Sequence, residues 1–199
     1  MKTTFLIASL ALALTACSAA AQKLTTQKAP ETFRVNMDTS RGLVVIEVTR
    51  ALAPNGADRF YNLVKAKYYD GARFFRVIPG FMAQFGIAAD PAATKVWNVP
   101  IQDDPVKASN VRGAITFAQT SEPNSRSTQL FINYGDNSRL DPLRFAPFGK
   151  VVSGMEFVDQ IYSGDRENPD QSQIEQQGNA YLNKAFPKLD YIKTMTIAP

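Results

Sequence analysis

Residues 74–86 read FFRVIPGFMAQFG, a run of large apolar side chains interrupted by a cation at Arg76, a Pro79-Gly80 pair and an amide at Gln84. A buried strand accounts for the hydrophobes but not for the guanidinium, because burying a charge without partners is costly. Strand alternation from Arg73 to Ile78 puts Arg76 on one face with Phe74 and Ile78, and Phe75 with Val77 on the other. Further along, Thr128-Gln129-Leu130-Phe131-Ile132-Asn133 alternates in the same way, with Gln129 beside Phe131 and Leu130 and Ile132 on the reverse. Two strands that each set a polar group among aromatics suit a mostly apolar groove with a few placed hydrogen-bonding groups. On alternation alone, Arg76 reads rather as half of a surface ion pair with a nearby Asp or Glu. Phe81, Met82 and Phe131 likewise read as core.

Working outward, residues 33–39 and 42–48 flank Ser40-Arg41 as two β-branched, alternating segments, the pattern of a hairpin. Ala57, Phe60, Leu63 and Val64 recur at helical spacing behind Pro54, which suits a first helical turn. Residues 113–119 and 128–133 read as strands joined by the polar loop TSEPNSRS, and 145–152 as short apolar segments around Pro147 and Gly149. A helix is expected over 154–162, and a last strand over 189–197 apt to pair with the first. Residues 90–110 and 163–178, polar and broken by proline and glycine, are expected to be surface excursions. Many short strands, few helices and no internal repeat point to an all-β, closed antiparallel barrel with helical caps.

The N-terminus carries a different message. Residues 1–16, MKTTFLIASLALALTA, give a lysine, an apolar stretch and small residues, the layout of a secretory signal. Leu14-Thr15-Ala16-Cys17 resembles a bacterial lipobox, with Cys17 as the lipid attachment site; the alternative is an ordinary signal cleaved within Ser18 to Ala21. Ser18 resembles outer-membrane sorting, which implies a bacterial envelope protein facing the periplasm. Residues 17–31 are small and polar and read as a flexible tether, leaving 32–199 as one domain. The net charge of +4 is scattered rather than clustered, weak support for a nucleic-acid partner.

Two absences narrow the chemistry. The chain has no histidine, which removes Ser-His-Asp and Cys-His nucleophile systems and histidine metal sites. Cys17 is the only cysteine, so thiol chemistry and cysteine zinc sites go too. No phosphate-binding glycine loop is present. Catalysis without metal or cofactor, by binding, desolvation and hydrogen bonds, is what these residues allow.

FFRVIPGFMAQFG, GAITFAQTSEPNSRSTQLFIN and RLDPLRFAPFGKVVSGMEFVDQI, in this order and spacing, resemble the cyclophilin-type peptidyl-prolyl isomerases. The resemblance implies an eight-stranded antiparallel barrel capped by two helices, and activity on proline-containing peptides and unfolded exported proteins. By position, Arg76 matches the family's essential arginine, and Phe81, Met82, Phe131 and Leu140 the walls of its proline pocket. Gln84 and Gln129 match polar residues that hold the substrate backbone, with Gln84 able to orient Arg76. Ala118 and Gln119 match the rim whose backbone binds the peptide, Gln119 replacing an asparagine common there.

Phe75 stands where many relatives have histidine, and Phe145 falls near the position of another of their site-lining histidines. Arg139 occupies a position where eukaryotic members often have tryptophan, which implies weak cyclosporin binding. A monomer is expected. The alternative function is a peptide-holding chaperone or scaffold with little turnover, for which the missing histidines are the best support.

Overall fold

The computed structural model describes residues 26–199. The expected signal and Cys17 lie outside the described residues. The end of the expected tether does not hang free: Gln27 exchanges hydrogen bonds with the Asn62 amide (2.9 and 2.7 Å), and the Ala29 N–H donates to Asp58 at 2.8 Å. The folded unit therefore begins by Gln27 rather than at Thr32.

β1 (Thr32–Thr39) and β2 (Leu43–Thr49) form the expected hairpin, with Phe33, Val35, Met37, Val44, Ile46 and Val48 buried on the inner face. α1 (Pro54–Lys65) starts on Pro54 and buries Ala57, Phe60, Leu63 and Val64, the residues spaced for it. Its N-terminus is capped from afar by the Asp104 carboxylate, which accepts the N–H groups of Asn55 and Gly56 at 3.1 and 2.8 Å. An anion there offsets the partial positive charge of the helix end.

β3 (Arg76–Ile78) and β4 (Met82–Phe85) close tightly around Pro79-Gly80; Gly80 takes φ +75°, where a side chain would be strained. α2 (Pro91–Trp97), β5 (Ala114–Phe117), β6 (Leu130–Asn133), β7 (Pro147–Ser153), α3 (Met155–Val158), α4 (Gln171–Gln177), α5 (Asn179–Ala185) and β8 (Ile192–Ile197) follow. The sheet runs β3-β4-β6-β5-β7-β2-β1-β8, and β8 pairs antiparallel with β1 as expected. Its concave face holds a core of Phe60, Phe74, Phe85, Phe117 and Phe148, roofed by α1; Phe60 and Phe117 each lie 5.2 Å from Phe148.

Several expectations are corrected. The sheet is an open, strongly curled half-barrel, not a closed barrel. Register shifts near Asp38, Val45 and Ile115 bend it, but its edges do not pair strand to strand: they meet at the isolated Arg73–Tyr191 bridge and the hydrogen bonds flanking it, from the Phe74 N–H to the Asp190 carbonyl at 3.0 Å and from the Ile192 N–H to the Ala72 carbonyl at 2.9 Å. With Arg73 opposite Tyr191, β8 falls alongside residues before Arg73 rather than alongside β3, whose Val77 N–H is taken by the Arg166 carbonyl at 2.9 Å. Two capping helices become five short α-helices among the described residues. α2 lies inside the first excursion, while α4 in the second and α5 just after it fill the region before β8. The helix expected over 154–162 is a single turn, because the Tyr162 N–H is drawn to Asp190 at 2.7 Å.

Alternation also fails at Phe74. Phe74 and Val77 both enter the main core, because β3 begins only at Arg76. Phe75 points the other way, into a second apolar cluster with Ile87, Ile174, Leu182 and Leu189. The residue standing where relatives often have histidine is thus the floor on which α4 and α5 dock.

Candidate active site

The outer face of β3, β4 and β6 carries the site. Cross-strand register places Arg76 opposite Gln84, and Gln84 opposite Phe131, so cation, amide and aromatic form one row over three strands. The next row sets Ile78 opposite Met82. On β4 and β6 the intervening residues, Ala83, Phe85, Leu130 and Ile132, face the core. Period-two alternation therefore gives each strand one structural and one functional face.

Arg76 is half-buried, its side chain 29% exposed. Its Nη1 donates to Gln84 Oε1 at 3.3 Å, and Gln84 Nε2 donates to Gln129 Oε1 at 2.8 Å, a relay of three polar side chains along the cleft. Arg76 Nε donates to Glu167 at 3.1 Å. Arg76 Nη2 has no hydrogen-bond partner among the described residues. The ion-pair and groove readings of Arg76 thus both describe it.

Met82, Phe131 and Leu140 form a small buried cluster, with Ile78, Phe81, Ala118 and Phe145 against it. Phe145 meets Phe131 edge-on, with ring centroids 5.8 Å apart. The guanidinium of Arg139 sits 4.8 Å from the Phe81 ring centroid and that of Arg76 5.9 Å, so Phe81 is braced by two cations. Ala118 donates its N–H to Gln129 at 2.9 Å. The Gln119 side chain is turned aside to the Leu143 carbonyl at 2.8 Å, and its backbone groups have no backbone partner among the described residues.

All ten residues singled out in the sequence line one cleft of about 390 Å³: Arg76, Phe81, Met82, Gln84, Ala118, Gln119, Gln129, Phe131, Leu140 and Phe145. Thr120, Ser125, Ser127 and Gln171 line it as well and were not anticipated. The first three belong to the loop joining two site strands, a position that could have flagged them. Gln171 and Glu167 come from the second excursion, where no periodicity marks them. The loop is held by Arg126, whose buried guanidinium pairs with Asp103 and donates to the Arg144 carbonyl.

Behind the apolar wall lies a polar network. The Asn110 amide donates to Asp141 and to the Phe145 carbonyl, both at 2.8 Å, and Asn137 donates to the Phe81 carbonyl at 2.9 Å. Partial burial pushes the Asp141 carboxyl up, but hydrogen bonds from Ser109 and Asn110 outweigh it and hold the group below the ordinary carboxylate range.

A groove with one guanidinium nitrogen and several rim backbone groups unengaged among the described residues, over an aromatic floor, can bind an extended peptide and place a donor over it. Residues 34–179 match the family model described as cyclophilin type peptidyl-prolyl cis-trans isomerase/CLD. Peptidyl-prolyl cis-trans isomerase A of Dickeya dadantii is 38% identical over 139 residues, spanning 67% of this chain and 73% of that protein. Human peptidyl-prolyl cis-trans isomerase-like 3 is 34% identical over 64% of this chain and 80% of its own length. Among solved structures, a Cryptosporidium parvum cyclophilin-type isomerase superposes with a TM-score of 0.64 at 22% identity, covering 84% of this chain and 98% of that one. The same protein was also solved in the presence of the dipeptide Ala-Pro. The curled eight-stranded fold, the cleft on its outer face and this family match agree, and the chain belongs to the cyclophilin-type peptidyl-prolyl cis-trans isomerases.

Proposed function

We propose that this chain accelerates rotation about Xaa-Pro bonds in exported proteins, tethered in a bacterial envelope by lipid on Cys17. The observation that carries the isomerase reading is Arg76: engaged at Nε and Nη1, with Nη2 unengaged among the described residues, at the edge of an apolar cleft. The Ala-Pro dipeptide used with the Cryptosporidium protein indicates the ligand class.

Amide resonance sets a rotation barrier of roughly 18–20 kcal/mol. In the twisted transition state the proline nitrogen regains its lone pair, so a donor aimed at it binds that state better than the planar one. Arg76 supplies a permanently charged planar donor. One charge-assisted hydrogen bond contributes about 1.5–3 kcal/mol, about one to two decades in rate. Phe81, Met82, Phe131 and Leu140 supply more by excluding water, which otherwise stabilises the polar planar amide. In this reading Gln84 and Gln129, with the backbone of Ala118 and Gln119, hold the peptide. No proton transfer is needed, in keeping with a histidine-free chain.

A protease-coupled assay on an Xaa-Pro peptide tests this. Wild type should accelerate isomerisation and Arg76→Ala should lose about tenfold or more of kcat/KM with an unchanged circular dichroism spectrum. Equal rates for the two proteins, with peptide binding retained, would make the cleft a holder instead. The envelope reading rests on residues 1–17, and Cys17→Ser should release the protein from membranes; a Cys17→Ser protein that stays membrane-bound contradicts it.

A further inference from the structure

Glu167 reaches Arg76 from 91 positions away, and the intervening structure explains how. The segment carrying it is fixed at three places. Arg166 presents its carbonyl to the β3 edge at Val77, at 2.9 Å. Asp170 caps α4 by accepting the Gln173 N–H at 3.0 Å. Ile174, 1% exposed, packs with Phe75, the neighbour of Arg76 in sequence. Arg166 takes φ +48°, a left-handed conformation uncommon for a residue with a side chain, and this turns the next residue toward the cleft.

A guanidinium is planar, so fixing two of its nitrogens fixes the direction of the third. Glu167 holds Nε and Gln84 holds Nη1. Without Glu167, the fork keeps the 3.3 Å hydrogen bond from Nη1 to Gln84, a 3.9 Å contact with Met82 Sδ and the Phe81 ring at 5.9 Å, and loses its one charged partner among the described residues, at Nε. We infer that Glu167 is a positioning residue for Arg76, aiming Nη2 at the bound peptide. The inference rests on the reading of the cleft as an isomerase site. It also gives the second excursion a role, since Phe75 and Ile174 seat the segment that delivers the carboxylate.

Glu167 is well suited to a decisive test because its side chain is 61% exposed, so removing it should leave the thermal midpoint nearly unchanged. Rates are compared for wild type, Arg76→Ala, Glu167→Ala, Glu167→Gln and the Arg76→Ala/Glu167→Ala double variant. Glu167→Ala should lower kcat by about three- to fivefold with KM little changed. Glu167→Gln, which keeps an acceptor for Nε, should run closer to wild type than to Glu167→Ala. The double variant should be no slower than Arg76→Ala alone, because the carboxylate acts only through the arginine. Glu167→Ala at or above the wild-type rate, a loss carried by KM, Glu167→Gln as slow as Glu167→Ala, or additive losses in the double variant would each overturn the inference. If Arg76→Ala itself matches wild type, the isomerase reading fails, a result distinct from failure at Glu167 alone.

Discussion

Arg76 draws its partners from two distant parts of the chain, Gln84 on the adjacent strand and Glu167 beyond all the site strands. The first was legible through the resemblance, which gives Gln84 as able to orient Arg76; across the Pro79-Gly80 turn the two residues stand opposite each other. The second was not, since an ion pair closed by a polar segment leaves no periodic trace. The residues lining the cleft include no histidine, carboxylate, cysteine or lysine. Measured between about pH 5 and 8, kcat/KM should therefore be flat; a sigmoidal step near neutrality would reveal an ionising group the mechanism does not contain. The role of Phe75 escapes the sequence, because alternation assigned it a strand face and the strand starts one residue later. As it is 1% exposed in the cluster beneath α4 and α5, Phe75→Ala should cost about 3–5 kcal/mol in denaturant unfolding.

Among the elements, the segment from α4 through α5 behaves as an added layer. It is attached to the rest through the cluster around Phe75, through the Val77–Arg166 and Arg76–Glu167 bonds at the sheet edge, and through hydrogen bonds from Asn179 to the Ala89 and Gly71 carbonyls and from Arg73 to Asn183. Leu182→Ala, which hollows that cluster from the α5 side, should loosen the layer first. Hydrogen exchange should then rise across 163–185 before it rises in β1, β2 and β8, and uniform loosening would contradict separate attachment. The loop bearing Leu140 and Phe145 depends instead on Asp141. Because its hydrogen bonds hold the carboxyl below its unfolded value, the stabilisation is fully present above the ordinary carboxylate range and is lost as pH falls through the lowered value. Asp141→Asn should accordingly destabilise the protein at pH 7 and matter less at about pH 2, as read from urea melts at the two pH values. The lowered value itself has no signature in the letters RLDPLRF, for it depends on Ser109 and Asn110, 32 and 31 positions earlier.

At the scale of the whole molecule, the strands, their antiparallel pairing and the return of β8 onto β1 followed from hydrophobic alternation and turn residues, which act locally. Closure did not follow, because it depends on where the last strand meets the segment before β3, and the Arg73–Tyr191 bridge sets β8 beside residues that precede β3. The short helices escaped for a related reason. α4 and α5 are each seven residues long and bury a single residue apiece, too little for an apolar stripe to show. Of the cleft, alternation alone offered Arg76, Gln129 and Phe131; the other residues became legible through the resemblance, which is carried by their order and spacing. The exposed Arg139 edge of the cleft, in place of an aromatic wall, should leave isomerisation insensitive to cyclosporin at concentrations that inhibit members with tryptophan there. The most direct measurement is exchange NMR on an Ala-Pro peptide with catalytic amounts of protein. Cis–trans cross-peaks should appear with wild type and fade with Arg76→Ala; exchange no faster than in buffer alone, despite binding, would contradict the account.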